Sequence, residues 1–354
     1  MAEFWRWVGV GLLLTSGCTA KFQFPVRAVY YLFVGCEVGD RLEVYSVNRD
    51  TGALTLASSV SGVKATGIAV DSSRKEVYVA DGNTNNVNIY DFDVFTGALT
   101  SKLSLDGAAG PKSLLLDVER ARLFVLSDTS ERLSSFLRAG DNWNLVSSTA
   151  VTNNEPSLAL SPDGYTLVAS TGVGLASLHV DHDGSFGTVQ TQTIASGSRS
   201  VVVHPSGRWA YLALHISSLV KVYEISTDGS GTLIDTGASV SVSNPLQMIL
   251  DETARYLLVS SLTGQTVHRF VVDGDSGGLT AVGSAVAAGA PQYTIAGLAG
   301  FPFFFTTGRS ISAIQAFSSF GDVMNMSSQG STTTAAAGPE AMVLRRFVIP
   351  VTGD

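Results

Sequence analysis

The chain has 354 residues, of which 45% are hydrophobic and only 15% charged, with 36 glycines and a formal net charge of -8. That composition describes a large packed core with many turns, and it excludes a coiled coil or a disordered chain. Lys and Arg are scattered singly, so no basic stripe exists to track a phosphate backbone and nucleic acid is not an expected partner.

The first element is an export signal. In "MAEFWRWVGVGLLLTSGCTA" an apolar stretch from Trp7 to Leu14 precedes Ser16, Gly17 and Cys18, and the segment is too short to span a bilayer as a helix. Its end resembles a bacterial lipoprotein signal, which implies that Cys18 is acylated and becomes the mature amino terminus. Thr15 departs from that pattern where Leu is usual, and Glu3 sits beside Arg6 in the charged region. An ordinary cleaved signal and an uncleaved apolar start are the alternative readings. If Cys18 carries lipid, Cys36 is a lone thiol in an apolar strand, expected to be a small buried hydrophobe. If Cys18 stays in the chain, a Cys18–Cys36 disulfide is open to it in an oxidising compartment. The division expected is a signal over 1–18, a linker over 19–29 and a single domain over 30–351.

From Tyr30 onward the chain repeats itself. The segment from Gly67 to Leu105 holds an apolar strand, a polar turn, the strand "VYVAD", a Gly/Asn turn, the strand "VNIYDFD", a turn closed by Thr96 and Gly97, and a last strand. The same order recurs with Asp71, Asp117, Ser161, His204, Asp251 and Gly297 aligned, at steps of 46, 44, 43, 47 and 46 residues. Four short strands per step of this size mark a β-propeller blade. "TGAL" at Thr51 and Thr96, "SGTL" at Ser230 and "GGLT" at Gly277 put glycine where a hairpin needs a positive φ.

The stretch after Tyr30 supplies only three strands of the first blade, and the missing one lies at the far end of the chain. "GPEAMVLRRFVIPV", Gly338 to Val351, matches the start of a repeat and then stops. Met342 to Leu344 are therefore expected to form the inner strand of blade one. The fold predicted is all-β, a seven-bladed propeller with four-stranded blades, closed by a C-terminal strand. Ser327 to Gly338, a Ser/Thr-rich run, falls at the outer strand of blade seven and a linker.

At "GIAVDSSRKEVYVADGNTNNVNIYD" and "SLALSPDGYTLVAS" the chain resembles the seven-bladed lactonase family and related surface proteins with Tyr-Val-Thr-Asn-like repeats, over nearly all of the mature chain. The resemblance implies catalytic groups in the central channel, of the 6-phosphogluconolactonase or cycloisomerase type. In the family one blade begins Gly-Pro-Arg-His, passes a His-Pro-Asn-Gly turn and ends a strand on Asn-Glu. Here the corresponding run is "GSRSVVVHPSGRWAYLALH". Arg199 matches the family Arg, Ser200 stands where the His would be, and Leu214 and His215 replace the Asn-Glu pair.

His204 aligns with Asp71, Asp117, Ser161 and Asp251 and is expected to cap a turn. His215, near the channel mouth by analogy, is either a general base or a partly exposed loop residue. The residues five places before the aligned position form a ring at the start of the inner strands: Thr66, Lys112, Pro156, Arg199, Leu246, Gln292 and Glu340. Lys112, Arg199, Gln292 and Glu340 are the ligand-binding candidates, with an ion-paired channel rim as the alternative. "DHDGS" at Asp181 and "DGDSGG" at Asp273 are read as hairpin turns, no metal or cofactor is expected, and the Gly-rich turns lack the strand-to-helix setting of a phosphate loop.

The function expected is a monomeric, exported, lipid-anchored binding module of the cell envelope, lactonase-like in fold with the family His and Glu replaced. Its partner would be a small acidic molecule, a glycan or an envelope protein. The alternative is a divergent lactone hydrolase using Arg199 and Lys112.

Overall fold

In the computed structural model, residues 26–350 are described apart from 107–108, 152–156, 172–173, 195–196, 252–253, 288–293, 299–300, 309–310, 319–326 and 334–336. Every described element is a β-strand, and the strands form seven antiparallel sheets. Cys18, Pro156 and Gln292 lie outside the described residues.

Blade one runs outward from Pro339–Pro350 through Val26–Cys36 and Arg41–Val47 to Leu54–Ser61. The carboxyl-terminal segment is thus its inner strand, with Leu32 opposite Leu344 and Val34 opposite Met342. Inner strands of the other blades are Ala65–Asp71, Pro111–Asp117, Ser157–Leu160, Ser198–Val203, Pro245–Leu250 and Thr294–Ala296. Consecutive inner strands touch all round the ring, the blade-one strand meeting those of blades two and seven.

Blade one differs from its sisters at the lower end of the channel. Elsewhere the first two strands are joined there by a turn, but in blade one they belong to opposite ends of the chain. With no turn to stop them, Val26–Tyr30 and Arg346–Pro350 run on as a two-stranded ribbon. Alternation packs it down: Phe347 and Ile349 are buried while Arg346 and Val348 face out. Phe347 meets Phe92 of blade two at a ring-centroid distance of 4.9 Å.

Each junction between blades carries its own apolar cluster, because a single sheet with two apolar faces needs a neighbour on both sides. Tyr31, Phe33, Tyr90 and Phe92 fill the junction of blades one and two. Leu32, Phe303 and Phe305 fill that of blades seven and one, so "FPFFFTT" is core strand. In blade six the outer strand is broken in two, Leu279–Ala281 and Val286–Ala287, both paired to Thr266–Val272. Gly283, at φ 63°, sits in the break. The outer strand of blade seven is Ser327–Thr333, at the place the Ser/Thr-rich run indicates.

Turn chemistry follows the repeat. Gly52, Gly97, Gly231 and Gly277 all have φ between 69° and 76°. The residue closing the first turn of the blade is also left-handed, yet it is Lys75, Ala121 and Ala254 in three blades and Gly164 and Gly207 in two.

Two buried charge clusters tie blades together away from the channel. Arg122, fully buried, donates to Asp117 Oδ2 at 2.6 Å and to the carbonyls of Gly164 and Asp181 in blade four at 2.6 and 2.7 Å. Glu76 of blade two receives Arg138 of blade three at 2.6 Å, Lys102 at 2.8 Å and the Tyr78 hydroxyl at 2.7 Å. Burial alone would raise the pKa of Glu76, but these hydrogen bonds outweigh it and hold the carboxyl at about 2. Removing either arginine would leave the buried carboxylate with weaker compensation, Lys102 at 2.8 Å from Glu76 or Arg120 at 3.6 Å from Asp117, and should lower the unfolding free energy measured by denaturant titration by about 1–3 kcal/mol.

Candidate functional site

Inner strands start at the upper end of the channel and run down it, so the ring seen in the sequence surrounds the upper mouth. A cavity of about 470 Å³ opens there, with Thr66, Lys112, Arg199, Leu246 and Glu340 in its lining. Five of the seven ring positions are therefore brought together; the other two, Pro156 and Gln292, are not described.

The charges at this mouth are interleaved. Lys112 Nζ lies 3.6 Å from Glu340 Oε1 and 3.5 Å from Glu37 Oε1, and Lys64 Nζ is 3.2 Å from the same Glu37 oxygen. Glu37 and Glu340 are largely buried, with side-chain exposures of 10% and 12%, so each carboxylate depends on a cation for compensation. Lys112 is a member of an ion-paired rim.

Glu37 escapes the sequence alignment because it lies in the turn after the second strand of blade one and not on an inner strand. Asp128 and Gln247 also join the lining, the latter one residue past the ring position.

Below the rim, side chains clasp neighbouring blades. Ser157 Oγ accepts the Val201 N–H at 3.3 Å, Ser200 Oγ accepts the Met248 N–H at 3.2 Å, and Gln247 Oε1 accepts the Ile295 N–H at 2.7 Å. Thr66 Oγ1 donates to Pro111 O at 2.9 Å. Gly67 has no room for a side chain, since a Cβ there would lie 2.6 Å from Lys112 O. Ser200 is thus part of a circumferential series that fixes inner-strand spacing.

His204 and His215 take different roles. His204 Nδ1 accepts the Ser206 N–H at 3.1 Å, the capping contact that Asp71 makes with Ser73 and Arg74 in blade two. His215 stacks over Gly197, where a Cβ would fall 2.6 Å from its Cε1. Its Nδ1 is 2.8 Å from Gly197 O. A carbonyl only accepts, so Nδ1 carries the proton and Nε2 holds the lone pair. Burial, and then the charge of Arg199, lowers the imidazole pKa, with the Gly197 hydrogen bond opposing them. The ring is therefore neutral and basic at Nε2 near pH 7.

The remaining sequence candidates resolve into structure. Asp183 and Asp273 accept N–H groups of their own turns, from Ser185 and from Asp275 and Ser276. Among the described residues no three His, Cys, Asp or Glu side chains converge as metal ligands. Cys36 is buried, and burial, then the nearby Glu43, pushes its thiol up to about 12, so it is inert.

Residues 68–296 match the family described as "Lactonase, 7-bladed beta-propeller". Among solved structures, the chain is similar to a Bacteroides fragilis protein provisionally assigned as a 6-phosphogluconolactonase, with 17% identity over 90% of this chain and 98% of that one at a TM-score of 0.77. It is also similar to the periplasmic gluconolactonase PpgL of Pseudomonas aeruginosa, at 18% identity over 90% and 99% of the two chains and a TM-score of 0.75. Apo AztD from Citrobacter koseri aligns over 90% and 99% at 11% identity, with a TM-score of 0.59. At these identities the likeness establishes the fold.

The geometry at His215 makes a direct prediction. Its pKa, followed by NMR of the ring nitrogens, should lie below 6.5 and rise in Arg199→Ala. An unchanged value would show that the guanidinium does not act on this ring.

Proposed function

The chain belongs to the seven-bladed β-propeller lactonase family, and on that premise we propose that it is a ligand-binding propeller of the cell envelope whose upper mouth takes a small hydroxylated acid. The observation that carries this reading is the composition of the upper cavity. Arg199 offers a cationic fork suited to a carboxylate, while Glu340 and Asp128 supply acceptors for hydroxyl groups around it. With Lys112 and Lys64 compensated by Glu37 and Glu340, the mouth has alternating sign. A polyol acid, with one charge and many hydroxyls, complements that pattern better than a multiply charged phosphate ester.

Turnover is not part of this reading. Ser200 occupies the place of the family His and its oxygen is engaged by blade six. Export and acylation of Cys18 belong to the same proposal, supported by the apolar stretch Trp7 to Leu14 ahead of a small-residue run ending in Cys18. A propeller tethered there is a monomeric module held close to a membrane surface.

One observation favours a second reading, lactone hydrolysis. His215 presents a basic Nε2 beside Arg199. It would take a proton from water as the oxygen adds to the lactone carbonyl, with Arg199 stabilising the oxyanion, and the imidazolium would return that proton to the ring oxygen as the C–O bond breaks.

Calorimetry with gluconate and a turnover assay on a panel of sugar lactones separate these readings. Gluconate should bind and lose at least tenfold in affinity in Arg199→Ala, with lactones opening at the spontaneous rate. Catalysis that disappears in His215→Ala, with folding intact, would replace the binding reading by the hydrolase.

Cells fed a labelled fatty acid should incorporate it into wild-type protein and not into Cys18→Ala. Unlabelled wild type would end the lipoprotein assignment.

A further inference from the structure

The lower mouth of the channel holds a second cavity, of about 490 Å³, lined among others by Arg345, Ser72, Ile68, Val70, Leu114 and Leu116. We propose that it is a binding site for an organic carboxylate carrying a short aliphatic chain, with Arg345 as the head-group anchor. This site is at the opposite end of the channel from the one considered above and does not depend on that reading.

Arg345 aligns with Asp71, Asp117, Ser161, His204 and Asp251, the residues that cap the first turn of blades two to six. Those side chains are engaged: Asp71 by Ser73 and Arg74, Asp117 by Arg120, Ser161 by Thr166, His204 by Ser206 and Asp251 by Tyr256. Blade one has no turn at this level, because its two inner strands are the two ends of the chain. The position is released from capping, and it carries a cation.

That cation has little to satisfy it. A guanidinium offers five N–H donors. Among the described residues, the one hydrogen bond it makes is from Nη1 to Leu344 O at 3.0 Å, a backbone carbonyl of its own strand. No described carboxylate lies within 4.0 Å of it; Asp71, in the same lining, is turned to its own backbone. Burial pushes the Arg345 pKa down, and no neighbouring acid pulls it back. Desolvating such a charge without a partner is unfavourable, and an incoming anion relieves the cost.

The rest of the lining selects the anion. One guanidinium matches one carboxylate bidentately. A phosphate dianion would need a second cation, and Asp71 would repel it. Ile68 and Leu114 line both cavities, so an apolar waist separates the two polar mouths. A chain of several methylenes leading up from the head group would bury against that waist.

Octanoate is the probe. Titrated calorimetrically into the full chain, it should bind at one site, weaken at least tenfold in Arg345→Gln, and bind unchanged in Arg199→Ala. Inorganic phosphate should not bind at the lower mouth. In wild-type protein, octanoate should shift the Arg345 Nε–Hε NMR signal and leave that of Arg199 in place, a readout independent of any variant's folding. Absence of octanoate binding, equal affinity in Arg345→Gln, or a shift confined to Arg199 would each overturn the proposal. So would phosphate displacing octanoate from Arg345.

Discussion

Everything in this molecule depends on one pairing, that of Pro339–Pro350 with Val26–Cys36. Eleven residue pairs from Val26↔Pro350 to Cys36↔Pro339 join the two ends of the chain inside a single sheet. Without them, the inner faces of blades two and seven would each lose a partner, and the clusters around Phe92 and Phe305 would meet water. The pairing also places one strand along the full length of the channel. Glu340 stands at its upper end and Arg345 at its lower end.

The consequences for function come from that strand and its six sisters. Side chains at the upper rim alternate in charge, and directly beneath them hydroxyl and amide groups are spent on clasping one inner strand to the next. In that clasp the Ser200 oxygen, engaged by the Met248 N–H, holds the spacing that sets the cavity's width. At the lower mouth the five capping side chains are consumed by turns, and the one blade lacking a turn supplies the exception. Two mouths of unlike chemistry thus follow from a ring built of like parts.

Much of this was legible in the sequence, for a physical reason. Blade boundaries follow alternation and turn glycines, both local properties, so Gly52, Gly97, Gly231 and Gly277 announced hairpins that the structure contains. The closing strand was legible because "GPEAMVL" repeats the opening of "GPKSLLL". Partners were harder to read. Lys112 and Arg199 emerged from alignment of inner strands, but the companion of Lys112, Glu37, sits in a turn that no alignment of inner strands includes. Arg345 was invisible for the opposite reason: it falls on the aligned capping position, and only the absence of a turn in three dimensions changes what that position does. Left-handed residues such as Lys75, Ala121 and Ala254 give no glycine signal at all.

The central claim is that the chain-end pairing makes seven blades one cooperative unit. Amide hydrogen exchange on the full chain measures this most directly. Protected amides in Val26–Cys36 and in Ser157–Leu160, on a blade remote from the closure, should open with the same free energy and the same denaturant dependence. If Val26–Cys36 opened at clearly lower free energy while Ser157–Leu160 stayed protected, the pairing would be a local clip and the account would be contradicted.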